Sequence, residues 1–286
     1  MSALLTVEDL WVRFATRTGG TVEAVRGISF DVGRERLGIV GESGSGKSMT
    51  GRAILRLVRP PGVVSAKAIT FDGTDLTSLG ERQMRRIRGQ RISMVMQDPK
   101  FSLNPVMTVG RQIEEAYRLH TGSSHREAAA KTMEMLDAVQ IRDPERVAGL
   151  FPHEVSGGMG QRIMIAMMLA PGPELLIADE PTSALDVTVQ MSVLNIMDRL
   201  VRDRGMGLVF ISHDLNLVAT FCDRILIMYA GRIVETCSAD RLHEAEHPYT
   251  RGLLNALPDL ETPRLALEAL NRDPSWKEAP SVDGFS

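Results

Sequence analysis

Gly41-Glu42-Ser43-Gly44-Ser45-Gly46-Lys47-Ser48 follows the apolar run Leu37-Gly38-Ile39-Val40 and precedes a helical pattern that puts Ala53, Ile54, Leu57 and Val58 on one face. The reading is strand, tight loop, helix, with the G-x-x-x-x-G-K-[ST] spacing of a phosphate-binding loop. Each residue type answers a chemical need. Glycines let the backbone curl so that successive N–H groups face phosphate oxygens, where a Cβ would block the approach. The helix that follows presents free N–H groups and a positive dipole end to the same anion. Lys47 is placed to reach β- and γ-phosphates, and the Ser48 hydroxyl to ligate Mg²⁺. The candidate nucleotide-binding run is therefore Gly41, Glu42, Ser43, Gly44, Ser45, Gly46, Lys47, Ser48 and Met49.

With 286 residues, 43% of them hydrophobic, the chain can bury a sizeable core. A net charge of −3, from 33 basic and 36 acidic residues with no long basic run, argues against nucleic acid as a partner. Cys222 and Cys237 are the only cysteines, too few for a disulfide scaffold or a four-thiolate metal site. The opening stretch carries Glu8 and Asp9 and lacks a basic segment followed by an apolar core, so no signal peptide is read. No apolar run approaches the ~18 residues that span a bilayer. The expectation is a soluble, cytosolic protein.

Residues 3–14 and 21–32 read as an antiparallel pair around Thr16-Arg17-Thr18-Gly19-Gly20, and Ala66–Phe71 as an edge strand before Asp72-Gly73. Leu37–Val40, Ile92–Met96, Leu175–Ala178 and Leu208–Ser212 are continuous apolar runs of the kind buried in parallel sheets. Helical stretches separate them, so the alternation predicts an α/β fold with a helix-covered parallel sheet. From Pro99 to Ala170 the pattern is helical (Val109–His120, His125–Val139, Gly160–Leu169), read as an insertion in the α/β core. Arg224–Tyr229 and Arg232–Thr236 flank Ala230-Gly231, a hairpin signal. From Asp259 on, prolines and charges accumulate and predict a loosely packed tail.

Leu175-Leu176-Ile177-Ala178-Asp179-Glu180 is an apolar strand that ends in two carboxylates, at the edge where open α/β sheets hold ligands. Asp179 is placed to hold Mg²⁺ and Glu180 to polarise an attacking water. Ser156 is a good N-cap for the bare glycines Gly157 and Gly158, and Ile163, Ala166, Met167 and Ala170 follow at helical spacing. The chain thus owns a second helix N-terminus able to bind an anion.

The order Gly41–Ser48, Gln97, Ser156-Gly157-Gly158, Asp179-Glu180-Pro181-Thr182, Ser183-Ala184-Leu185-Asp186, His213 resembles the ATP-binding subunit of ABC transporters over residues 3–237. The resemblance implies a P-loop NTPase (RecA-like) core with an antiparallel β subdomain, an inserted helical subdomain and a short C-terminal extension. The expected boundaries are 1–98 and 171–237 for the ATP-binding core, 99–170 for the helical subdomain and 238–286 for the extension. It also implies a head-to-tail dimer, with ATP between the phosphate loop of one subunit and Ser156, Gly157, Gly158 and Asp186 of the other. That would explain why one chain carries two phosphate cradles. Catalysis is then expected from Glu180, His213, Gln97 and Lys47, and Mg²⁺ binding from Ser48, Gln97 and Asp179. Val155 stands where the pattern usually has Leu, and Gly160 where a polar or basic residue is usual; inside a helix Gly costs about 1 kcal/mol relative to Ala. Phe14 is the nearest candidate for the aromatic that stacks on adenine, with a core role in its strand as the alternative.

His247-Pro248-Tyr249-Thr250-Arg251-Gly252-Leu253-Leu254 resembles the segment that opens the C-terminal extension of dipeptide, oligopeptide and nickel importer ATPases, and Pro152-His153-Glu154 points the same way. Many relatives continue into a cysteine cluster that holds an iron–sulfur centre; no cysteine follows Cys237 here, so no cluster is expected. His243-Glu244-Ala245-Glu246-His247 fits the H-E-x-x-H zinc pattern, but Pro248 interrupts the helix that such a site needs and no third histidine follows. Phe101-Ser102-Leu103-Asn104-Pro105-Val106-Met107 is apolar for a loop, and the family resemblance favours a groove for a short cytoplasmic helix of a permease.

The function implied is an ATP-hydrolysing subunit at the cytoplasmic face of the inner membrane, coupling ATP to uptake of peptides or a related solute (nickel, another metal chelate or an opine). Its implied partners are two permease subunits, a second ATP-binding subunit and an extracytoplasmic solute-binding protein. The rival is a soluble ABC-type ATPase acting on nucleic acid or ribosomes. DNA-repair members carry a long coiled coil between phosphate loop and signature, and ribosome-acting members usually carry two phosphate loops; this chain has neither.

Overall fold

The computed structural model describes residues 3–16, 18–96, 102–183, 185–256 and 273–285. The strands, in chain order, are β1 (Leu5–Ala15), β2 (Thr21–Val32), β3 (Arg36–Val40), β4 (Gly62–Ser65), β5 (Ala68–Phe71), β6 (Thr74–Asp75), β7 (Ile92–Val95), β8 (Leu175–Asp179), β9 (Gly207–Ser212), β10 (Arg224–Tyr229) and β11 (Arg232–Ser238). The helices are α1 (Lys47–Ile54), α2 (Glu81–Ile87), α3 (Val109–Thr121), α4 (His125–Ala138), α5 (Pro144–Ala148), α6 (Gly157–Leu169), α7 (Val187–Arg204), α8 (Leu215–Phe221) and α9 (Pro248–Asn255). The chain divides into two compact units, one of Met1–Leu79 with Val209–Ser286 and one of Gly80–Leu208.

In the first unit, β1 pairs antiparallel with β2, and Leu5, Val7, Leu10 and Val12 face inward with Val25, Ile28, Phe30 and Val32, all fully buried or nearly so. A period of two fixes which side is wet on either part of the pair, and the register shift between Val7 and Leu10 resets it. β4 and β5 also run antiparallel to β1, against Trp11–Phe14 and Leu5–Glu8 respectively. The sequence reading had one strand at 66–71. That strand is β5, which begins two residues later, and β4 is an additional strand before it; between them the Lys67 amide donates to the Glu8 carbonyl. In the unit's other sheet, β10 lies parallel to β3 and antiparallel to β11, and β9 is the neighbour of β3 on its other side. Ala230 (φ 47°) and Gly231 (φ 85°) are both left-handed, the geometry that a two-residue hairpin with the native twist requires.

The tail follows expectation in part. Residues 257–272 lie outside the described residues, and most side chains of 273–285 are exposed, but specific contacts pin that segment to the first unit. Trp276 sits edge-on to Tyr229, Tyr249 and His247. The Val282 amide donates to the Ile233 carbonyl (2.8 Å) and the Gly284 amide to the Ser29 carbonyl (2.8 Å). Arg224, which also pairs with Asp31 (3.1 Å) and Glu35 (2.7 Å), donates to the Gly284 carbonyl. Composition alone hid this, because one tryptophan and open strand edges supply the contacts.

In the second unit, β7 and β8 pair in parallel, Ile92 opposite Leu175 through Val95 opposite Ala178, and every residue of both is buried. Helices α3 to α6 fall where the helical insertion was read, with α5 added behind a cap in which the Asp143 carboxylate accepts the Arg146 amide. α4 opens with a capping box: Ser124 Oγ accepts from the Glu127 amide while the Glu127 carboxylate accepts from the Ser124 amide at 2.8 Å. α6 begins three residues earlier than the apolar periodicity indicated, because the cap at Ser156 and not the first apolar residue sets the start. Ile163, Met164, Ile165, Ala166 and Leu169 of α6 are wholly buried, so Met164 is core, while Met159 and Met168 are half-buried. Among the described residues, no helix is long and apolar enough to cross a membrane.

Candidate functional site

In the first unit, β3 delivers the chain to Gly41, and α1 starts at Lys47 behind Gly46. Two glycines are demanded by space. At Gly46 (φ 103°) a Cβ would stand 2.4 Å from the Ala24 carbonyl oxygen, and at Gly41 it would stand 2.1 Å from that of Met228. The Lys47 ammonium, 5% exposed, donates to the carbonyls of Gly41 (2.7 Å) and Glu42 (2.8 Å), drawing the loop around itself. The Ser45 amide donates to the Glu42 carbonyl (3.1 Å), and the Gly231 amide of the β10–β11 turn donates to the Ser45 carbonyl (3.0 Å). The Ser45 hydroxyl is buried with no hydrogen-bond partner among the described residues, a polar group that an incoming anion would satisfy. These features fit a triphosphate. Ser43 and Gly44 are exposed at the crest, and Glu42, Ser48 and Met49 are partly so.

His213 follows the last residue of β9 and is exposed; Asp214 beside it caps α8 by accepting the Leu217 amide (3.1 Å). Phe14 pairs with Val22 of β2 and Gly62 of β4, and its ring edge lies 2.6 Å from where a Cβ of Gly62 would be, beside Val58. Its ring is half-buried there, with one edge against Gly62 and the rest partly exposed.

In the second unit, Asp179 is the last residue of β8 and only 3% exposed; Glu180 follows, half-buried, with φ 48°. A left-handed non-glycine residue stores strain, and such strain clusters at working sites. The turn holds because the Ser183 hydroxyl (3.2 Å) donates to the Glu180 carbonyl. Asp179 thus presents carboxylate oxygens from a rigid, buried strand end, the kind of donor that a hard divalent cation takes.

Ser156 caps α6, its Oγ accepting the Met159 amide (3.3 Å). Gly157 has open space where a Cβ would go, whereas a Cβ at Gly158 would meet Val189 Cγ1 at 2.6 Å. The Val189 amide in turn donates to Asp186 (3.1 Å), which caps α7. One valine therefore joins the glycine helix start to Asp186, a link that no sequence pattern announced. Gln97 and Phe101 lie outside the described residues.

Loop residues 41–49 and His213 thus belong to the first unit, and Asp179, Glu180, Ser156–Gly158 and Asp186 to the second. The H-E-x-x-H spacing falls across a break: a 3₁₀ turn covers Ala239–Glu244, and His247 caps α9, its Nδ1 accepting the Tyr249 amide (3.1 Å).

A glycine-curled loop on a strand–helix joint, an acidic pair closing a buried strand and a second capped glycine helix define an ATP-hydrolysing P-loop cassette. Residues 25–183 match the profile of the ABC transporter family, to which the chain belongs. It is 48% identical over 265 residues to the oligopeptide transport ATP-binding protein OppD of Bacillus subtilis, covering 92% of this chain and 74% of that one. It is 51% identical over 259 residues to the probable peptide ABC transporter ATP-binding protein y4tR of Sinorhizobium fredii, covering 90% of this chain and 77% of that one. The dimeric ATP-binding cassette MJ0796, solved in a post-hydrolysis state with ADP and Pi, superposes with a TM-score of 0.73 at 25% identity, over 82% of this chain and 98% of that one. The chain is a transport ATPase with the ABC fold.

Proposed function

We propose that this chain drives an importer for peptides or a chemically related small solute, working peripherally at the cytoplasmic face of the inner membrane. The observation that carries the solute class is near-half identity, over about nine-tenths of the chain, to proteins described as peptide transport subunits. The same relatives speak against the rival role on nucleic acid or ribosomes. The partners proposed are a second ATP-binding subunit in head-to-tail array, two permeases and a solute-binding protein.

Roles follow from chemistry. Lys47 and the loop amides of residues 41–48 bind the β- and γ-phosphates, and Ser156–Gly158 with Asp186 meet the γ-phosphate held by the partner subunit. Glu180 orients a water in line with the γ-phosphorus, while Lys47 and His213 stabilise the charge that spreads over its oxygens. Ser48 and Asp179, with Gln97, would hold Mg²⁺, which would supply charge neutralisation for the triphosphate. Phe14 remains the proposed aromatic for adenine.

For permease docking, the second unit offers a cavity of about 310 Å³ whose lining includes Ser102, Asn104, Met107, Leu119 and Met167. Gln112 fixes its rim by accepting the Asn104 amide (2.8 Å) and donating to the carbonyls of Asn104 (3.0 Å) and Met107 (2.9 Å). Leu119 (76% exposed) leaves apolar surface at the cavity lining, and Val106 (78%), in the loop between Asn104 and Met107, adds more, suited to a short amphipathic helix.

The test is ATP turnover of Glu180→Gln reconstituted with permeases. The expected result is a fall of about 10²- to 10⁴-fold with ATP binding retained, the range for losing a positioned proton acceptor. Wild-type turnover would remove Glu180 from that role, and uptake that is indifferent to peptides would overturn the solute class.

A further inference from the structure

The hydroxyl of Tyr249, a wholly buried side chain of α9, accepts a hydrogen bond from the Glu42 backbone amide at 3.1 Å. Glu42 is the first non-glycine residue of the phosphate loop. A loop built on Gly41, Gly44 and Gly46 has unusual freedom to lose on ordering, so whatever fixes it from outside bears on how well it waits for phosphate. Hydrogen bonds from outside the loop flank its exposed crest: the Gly231 amide donates to the Ser45 carbonyl, and the Glu42 amide to the Tyr249 hydroxyl.

The Tyr249 ring is itself held. Its centroid is 4.6 Å from that of Tyr229, and Trp276 stands edge-on to both, at 6.1 Å from Tyr229 and 6.3 Å from Tyr249. Lys277, the next residue, lines a cavity of about 420 Å³ together with Glu42, Ser43, Gly44 and Ser45. Its carbonyl accepts a hydrogen bond from Arg26 of β2 at 2.7 Å. A buried tyrosine hydroxyl with rings packed around it has one place to be, which makes it a fixed acceptor.

We propose that Tyr249 is a positioning residue for the phosphate loop, and that the segment around Trp276 clamps it, so the C-terminal extension sets the loop's readiness for ATP. The inference rests on reading that loop as the ATP site. It gives the His247–Leu254 segment a task inside the cassette, distinct from any role in recognising the solute.

The experiment compares the full-length wild type with Tyr249→Phe, which keeps the ring, and Trp276→Ala, which removes the clamp. Hydrogen exchange at the Glu42 amide, read without nucleotide, is expected to speed about tenfold in Tyr249→Phe while β1 and β2 stay protected. Mg-ATP binding should weaken by about threefold to tenfold, the scale of one lost hydrogen bond to a backbone amide. Turnover at saturating ATP should stay within about twofold, so that KM moves and kcat does not. Trp276→Ala should shift exchange and affinity in the same direction. Unchanged Glu42 exchange in Tyr249→Phe would overturn the proposal, as would a rise in exchange shared equally by β1 and β2. Because exchange is measured without ATP, a wild type that failed to bind nucleotide would count against the ATP reading alone.

Discussion

Gly158→Ala puts the packing of the second anion cradle to a quantitative test. The added Cβ would lie 2.6 Å from Val189 Cγ1, inside the 3.0 Å that real Cβ contacts essentially never breach, so one partner must retreat by about 1 Å. Val189 is poorly placed to yield, since a β-branched residue within a helix has essentially one χ1 rotamer. The shift is therefore passed to the first turn of α7, where the Val189 amide binds Asp186 at 3.1 Å. Overpacking of this kind costs about 1–3 kcal/mol, which in a chain of this size lowers Tm by roughly 2–4 °C per kcal/mol. Val189→Ala alone, at a half-buried site, should cost about 1 kcal/mol. The double variant should recover most of the first loss, a coupling of about 1–2 kcal/mol by thermal or urea denaturation. ATPase turnover measured on the same three variants separates the causes. Restored stability with restored turnover makes the defect steric. Restored stability without turnover assigns Gly158 a direct part in nucleotide contact. A single variant as stable as wild type would refute the packing argument.

Arg224 is 11% exposed and is shared by Asp31, Glu35 and the Gly284 carbonyl, so Arg224→Met should leave two carboxylates poorly compensated. The expected loss is about 3 kcal/mol by urea denaturation, since removing one partner of a buried pair strands the other charge; a loss under about 1 kcal/mol would refute it. Burial holds the pKa of His247 below its ordinary 6.5, against the opposing pull of Glu235. The unfolded chain then takes up the proton first, so this contribution to stability is complete above pH 6.5 and is lost as pH falls through the lower folded value. His247→Asn, which keeps an acceptor for the Tyr249 amide, should flatten the acid side of the stability curve, and an unaltered slope between pH 6.5 and 5 would contradict that.

Much of the fold was readable because the code is local. The buried runs at Leu37–Val40 and Leu175–Ala178 are strands within a residue of their expected ends, since apolar continuity and flanking glycine or acid leave little choice. The Ala230–Gly231 turn was readable for the same reason. What escaped is what depends on distant partners. β4 exists because β1 offers it an edge at Trp11–Phe14, and nothing in Gly62–Ser65 itself declares a strand. Trp276 is packed because Tyr229 and Tyr249 come to it from elsewhere in the chain. In the site, spacing marked Gly41–Ser48, Ser156–Gly158 and Asp179–Glu180 because phosphate chemistry constrains consecutive residues. The Val189 bridge and the Tyr249 hydroxyl left no such mark, being single side chains whose importance lies in three dimensions.

The partition into a contiguous unit, Gly80–Leu208, and a split one, Met1–Leu79 with Val209–Ser286, has a consequence for biosynthesis. β3 gains β9 on one side late in synthesis, and its other edge is covered only when β10 arrives, Val40 opposite Ile227. At ribosomal speeds of about 5–20 residues per second, the nascent β3 edge waits roughly ten to forty seconds for that strand. The middle of the polypeptide is free to collapse in the meantime, while the N-terminal strands stand as an unfinished surface. Slowing translation after codon 80 should therefore lengthen chaperone dependence, whereas slowing it after codon 238 should not.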